Sequence, residues 1–224
     1  ELWRRVEQGT LAESLHPAWE SAVVESMEGD HELAEISIVR PDLAFAWLKR
    51  RVNRTAEEEH ALNDLSSYRL EGAMTSALSP EQRRELIDSF GPENHHSELL
   101  RGLIGGDLEL YRHALRRPET RDLVGGHLGP PGNPVEPWAA RAKLLLDAGY
   151  TEDHVMWASD VIGGSWTGPI SNHHEAKRVC FARLLDYPDP RVRRIGEAAV
   201  EFLTARRDNE RKVERRAAVR GEIV

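Results

Sequence analysis

The 224-residue chain is 40% hydrophobic and 30% charged with only 6% aromatic side chains. That balance suits amphipathic helices sharing a shallow core better than one large globular core. Its formal net charge of −8 opposes general affinity for nucleic acid, which needs a basic surface to neutralise phosphate, and no run of about 20 apolar residues offers a membrane span. The single cysteine, Cys180, excludes an internal disulfide and is expected as a buried thiol in a reducing, cytoplasmic compartment.

Helical amphipathicity is present from the first residues, "ELWRRVEQGTLAESLHPAWESAVV", without a leader pattern, so the chain is expected to be an excerpt of something longer. Helix starts follow at Asp30, at Pro41-Asp42 before "LAFAWLKRRV", and at Ser79-Pro80, where Ser79-x-x-Gln82 fits a capping box and Gly91-Pro92 a stop. "EISIVR" alternates briefly and is the one place where a strand competes. Asp107 opens "LELYRHALRR" with Leu108, Tyr111 and Leu115 on one face, and "ETRDLVGG" is a short successor. The cluster "GGHLGPPGNPVEP" cannot be helical and divides the chain into an N-terminal helical-repeat part, 1–128, a loop, 129–136, and a C-terminal part, 137–224. Beyond it, "WAARAKLLLDAG" ends at Gly149, Thr151 caps "EDHVMWASDVIGG", and "SWTGPIS" is a second loop.

The most informative stretch is "LLDYPDPRVRRIGEAAVEFL". Asp189 can cap a helix that Pro190 begins, and Val192, Ile195, Ala199 and Phe202, widened by Leu203, recur on one apolar face. The segment before it, "HHEAKRVCFARLLDY", reads as an antiparallel partner with Val179, Leu184 and Leu185 inward. After Asp208 a separate charged helix, "DNERKVERRAAVRGE", is expected.

This helix, then Asp186-x-Pro188-Asp189-Pro190-x-Val192-Arg193, then a helix with Ala198 and Ala199, resembles a HEAT-type repeat unit. Gly196 departs from the usual alanine and weakens a helix by about 1 kcal/mol unless close packing requires it. The resemblance implies an all-α, HEAT-like α-solenoid of antiparallel helical hairpins, with a repeat spacing of roughly forty residues. The wider order, "RPDLAFAWLKRRV", weakly patterned helices, "SWTGP", this hairpin and a charged end "RRAAVRGE", is similar to C-terminal repeat regions of bacterial STAND-type, NLR-like ATPases of phage defence. It implies a sensing or scaffolding role without a nucleotide site in these residues.

Motifs for chemistry are absent. "GLIGGD" lacks the lysine of a phosphate-binding loop, and "GGSWTG", with Thr167 in place of the second glycine and no parallel sheet, makes Ser165 a poor nucleophile. Adjacent histidines point about 100° apart on a helix, so His95-His96 and His173-His174 are poor chelating pairs; Asn94 and Asn172 read as caps. Glu57-Glu58-Glu59 with His60 reads as a solvated face. Trp19, Trp47, Trp138 and Trp157 lie in apolar helical patterns and are expected in the core, whereas Trp166 stands in a loop, to plug a repeat junction or to bind.

From Arg191 to Arg220 there are ten Arg or Lys against five Asp or Glu on a chain that is acidic elsewhere. The expected function is therefore a non-enzymatic module for protein–protein recognition or scaffolding, with no catalytic, cofactor or metal residues and no membrane partner. Trp166, Arg206, Arg207, Arg211 and Arg215 are its candidate partner-binding residues, docking an acidic partner or neighbouring domain. The alternatives are a HEAT-like DNA-binding enzyme resembling the alkylpurine DNA glycosylases, with Arg191, Arg193, Arg194, Arg206 and Arg207 gathered near Trp166 and Asp160, and a small all-α domain dimerising through its last helix.

Overall fold

The structure, a computed structural model, describes residues 41–52, 75–92, 97–164 and 166–220. The expected helix start at Asp30, the competing strand "EISIVR", Trp19, Glu57 to His60, Asn94 with His95-His96, and Ser165 lie outside the described residues, as does the side chain of Trp47. The described residues are mostly helical and contain no strand. In chain order the helices are α1 Pro41–Val52, α2 Pro80–Asp88, α3 Ser97–Ile104, α4 Leu108–Arg116, α5 Pro118–Gly125, α6 Glu136–Asp147, α7 Glu152–Ala158, α8 Ile170–Ala182 and α9 Pro190–Val219. They belong to two compact units, Glu1–Leu123 and Val124–Val224.

In the first unit α2 is bounded by the capping box that its sequence announces: the Gln82 amide donates to Ser79 Oγ, and the Ser79 amide donates to Gln82 Oε1. Asp107 likewise caps α4 by accepting from the amides of Glu109 and Leu110. The buried face of α4 is Leu110, Tyr111, Ala114 and Leu115; Leu108, expected inside, is exposed because it opens the first turn on the outer side of that stripe. Leu86, Ile87, Leu99, Leu100 and Leu103 complete the apolar contact among α2, α3 and α4.

The second unit is built around α9. Asp189 caps it by accepting from the Arg191 amide, and Val192, Ile195, Ala199 and Leu203 are fully buried, as their spacing requires. Phe202, on the edge of the stripe, is half-buried. Gly196 is explained by packing: a Cβ there would lie 2.7 Å from Leu184 Cβ and 3.3 Å from the Phe181 carbonyl oxygen, so α8 and α9 cross where no side chain fits. Contacts from Ser171 to Glu214, Glu175 to Arg207 and Leu184 to Gly196 run in opposite order along the two helices, making them an antiparallel hairpin.

Four expectations are corrected here. Val179 and Leu185 are exposed, and Phe181 with Leu184 fills the core instead, because α8 turns toward α9 along the line Ser171, His174, Phe181. Cys180, beside that line, is half-buried. Asn172 does not cap α8; Pro169 precedes the first turn and accepts from the Asn172 amide, which places Asn172 within the helix. The separate terminal helix does not exist, since no proline or glycine interrupts Thr204 to Val219 and α9 continues through Asp208 for 30 residues.

Helices α6 and α7 complete this unit. Trp138 is buried and donates its Nε1–H to the Gly129 carbonyl, while the Leu128 amide donates to the Ala158 carbonyl, so the start of the Gly/Pro-rich loop is fastened both to α6 and to the end of α7. Gly149, at φ +95°, supplies the left-handed turn between α6 and α7, and Thr151 caps α7 at the His154 amide. Helix α7 stops after seven residues at Ser159, short of the expected Gly163-Gly164, because Asp160 adopts a left-handed conformation (φ 56°).

Candidate functional site

The features that stand apart from packing lie in the second unit, on one flank of α9. Trp157, expected in the core, is 48% exposed: it meets Phe202 edge-on at 5.3 Å between ring centroids and leaves the rest of its indole to solvent. The Arg206 guanidinium lies over the same Phe202 ring at 5.4 Å. Phe202 and Arg206 are one turn apart, so a tryptophan, a phenylalanine and an arginine form one ordered cluster on the surface.

The loop after α7 turns away onto α8. Lys177 Nζ donates to the Asp160 carbonyl at 2.6 Å and pairs with its carboxylate at 3.0 Å, holding the left-handed residue in place. Trp166, 47% exposed, stacks on His173 at 4.8 Å. Its partner is a half-buried ring whose Nε2 is enclosed. Next to it His174 is only 5% exposed, and burial, reinforced by His173 and Arg206, lowers its pKa below the ordinary histidine value against the opposing pull of Glu210 and Glu214. Its Nδ1 has no hydrogen-bond partner among the described residues. Glu214 accepts from both the amide and the hydroxyl of Ser171, which holds its carboxyl below the usual range and ties the far half of α9 to the start of α8.

The five candidate partner-binding residues are therefore divided. Arg206 joins Phe202 and Trp157, and Trp166 joins His173. Arg207, turned 100° from Arg206, points to the other flank, where its guanidinium pairs with Glu175 at 2.7 Å and with Asp208 at 2.8 Å. Glu175, clamped first by Arg178 and then by Arg207, is lowered to about 2. Arg211 and Arg215 follow Arg207 at intervals of four on that same flank. Trp157 was missed as a surface residue because its periodicity is that of a core position; only the early stop of α7 exposes it.

Nothing among the described residues assembles an acid–base or nucleophilic arrangement. The shallow depression lined by Leu146, Tyr150, Thr151, Glu152, Asp153 and Arg191 has two of its three charged side chains engaged: Arg191 with Asp147 and Asp189, Glu152 with Arg194 at 2.9 Å. No group of three or more potential metal ligands occurs among the described residues, and none of their helices is long and apolar enough to cross a membrane. Comparison with protein-family models, with curated proteins and with solved structures finds no match.

Proposed function

We propose that this chain is a non-enzymatic helical-repeat module that recognises a protein partner, in the manner of the HEAT-like sensor or scaffold regions of STAND-type, NLR-like assemblies. The observation that carries this reading is the Trp157–Phe202–Arg206 cluster, in which Trp157 and Arg206 are exposed, with the half-exposed Trp166 nearby in the chain on His173. Tryptophan and arginine concentrate binding energy at protein interfaces because a large rigid surface and a planar cation are both desolvated by one partner. The antiparallel α8–α9 hairpin, closed by the glycine at position 196, supports the repeat architecture.

The DNA-enzyme alternative loses support from three of the five arginines it needs, Arg193 and Arg206 having no carboxylate partner among the described residues. Arg191, Arg194 and Arg207 are each held by carboxylates, so phosphate would have to displace Asp147, Glu152 and Glu175 to reach them. The test is affinity capture with the whole chain from its source cells, reconstitution of the captured protein in purified form, and a duplex DNA titration alongside. Saturable binary binding of the purified protein with weak DNA binding is expected. No direct protein binding, or tight and salt-sensitive DNA binding, would overturn the reading.

A further inference from the structure

The uncovered flank of α9 specifies what kind of partner it takes. Helix α7 lies along α9 from Glu152, paired with Arg194, to Trp157, against Phe202. Beyond that point α7 has ended, and its following loop has turned onto α8 through Lys177 and His173. The same flank of α9 nonetheless continues. Arg206, Asn209, Val213 and Arg216 follow Phe202 at spacings of three and four, hence on one line, and all four are exposed, Val213 by 48%. No acidic residue occupies this line. Glu210 and Glu214 face His174 and Ser171 on α8, and Asp208 is taken by Arg207 on the opposite flank. Neither Arg206 nor Arg216 has a carboxylate partner among the described residues, whereas Arg178, Arg191, Arg194 and Arg207 on this hairpin each have one.

From this we infer that the lane Trp157, Phe202, Arg206, Asn209, Val213, Arg216 receives an acidic amphipathic helix from a partner protein, which lies on α9 where α7 leaves off. The inference rests on the protein-recognition reading and names the chemistry of the partner. An aromatic-aliphatic line calls for apolar residues at helical spacing; two unpaired cations about 15 Å apart along the helix, ten residues at 1.5 Å each, call for carboxylates two to three turns apart. Nucleic acid is less well served, because carboxylates stand close beside this lane: Glu175 on α8 and Asp208 on α9 at Arg207, and Asp189 at the start of α9 at Arg191.

The probe is a labelled helical peptide of roughly 18 residues with Leu on one face and Glu beside it, its counterpart with every Glu changed to Lys, and a duplex DNA of similar length. Anisotropy with the whole chain should show saturable binding of the Glu peptide only, quenching of Trp157 emission that Trp157→Phe removes, and weakening by added salt. Arg206→Glu with Arg216→Glu should reduce affinity at least about tenfold, while Arg211→Glu with Arg215→Glu on the other flank should leave it within about twofold. Arg206→Gln with Arg216→Gln, which removes charge without reversing it, should give an intermediate loss, and the melting temperature of each variant verifies folding. Equal binding of the Lys peptide, no binding of the Glu peptide, stronger binding of the duplex, or equal loss from both pairs of reversals would each overturn the inference. If the captured and reconstituted protein binds but ignores the Arg206 and Arg216 reversals, the inference fails while the recognition reading stands; if it does not bind at all, that reading fails with it.

Discussion

The two halves of α9 share one helical period and use it differently. From Pro190 to Leu203 the inward positions are Val192, Ile195, Gly196, Ala199 and Leu203, all buried against α7 and α8. From Thr204 to Val219 only Ala217 is buried, and the helix is held to α8 by polar links, Arg207 to Glu175 and Glu214 to Ser171. A helix needs its first half to exist, because apolar burial offsets the ordering of the chain, whereas the second half is attached by groups that water also satisfies. The first half is the building block, and the second presents a surface.

Ways to break that contrast differ in size. Ile195→Ala should have the largest effect, a loss of about 2 to 4 kcal/mol in a chemical melt, since it opens a cavity at a fully buried position. A loss below about 0.5 kcal/mol would mean the proximal half is not the core. Gly196→Ala should cost about 1 to 3 kcal/mol despite its better helix propensity, because the new methyl meets Leu184 and the α8 backbone, and the same melt would reveal a gain if the helices simply move apart. Asp189→Ala should cost about 1 kcal/mol through loss of the cap, and an unchanged midpoint would remove the capping role.

The distal half should respond to pH rather than to truncation. The Glu175 carboxyl, at about 2 in the folded chain, lies below its unfolded value, so its contribution is present above the unfolded pKa near 4.5 and is lost as pH falls toward 2. Exposure of the pair keeps that contribution small. Glu175→Gln should flatten the fall in stability across this window, its small cost being fully present at pH 7 and shrinking through melts at pH 5, 4 and 3; an identical pH profile would sever the clamp from stability.

The same contrast explains what the sequence made legible. Asp189, Ser79, Asp107 and Thr151 announce their helices because capping is local chemistry, a side-chain oxygen beside freed amides. The proximal stripe of α9 is legible because burial repeats with the helix. Val179 and Leu185 were misplaced because several apolar residues of α8 compete for one inward line, and only the position of α9 selects Phe181 and Leu184. The break expected at Asp208 fails because a charged residue on an outer face does not end a helix. At the candidate site, Trp166 and Arg206 were identifiable as an aromatic in a glycine loop and a cation in a basic run. Trp157 was not, because its exposure depends on where α7 ends, and the pairing of Arg207 was not, because its carboxylate partner lies 32 residues away in sequence.

Amide hydrogen exchange along α9, measured on the whole chain with and without the reconstituted partner, tests the division of labour most directly. The account predicts that amides from Ile195 to Leu203 exchange only by global unfolding, that those from Asp208 to Val219 exchange through easier local opening, and that saturating partner slows the second group selectively. Uniform protection along the helix, or a distal half whose exchange is unchanged when the partner is bound, would contradict it.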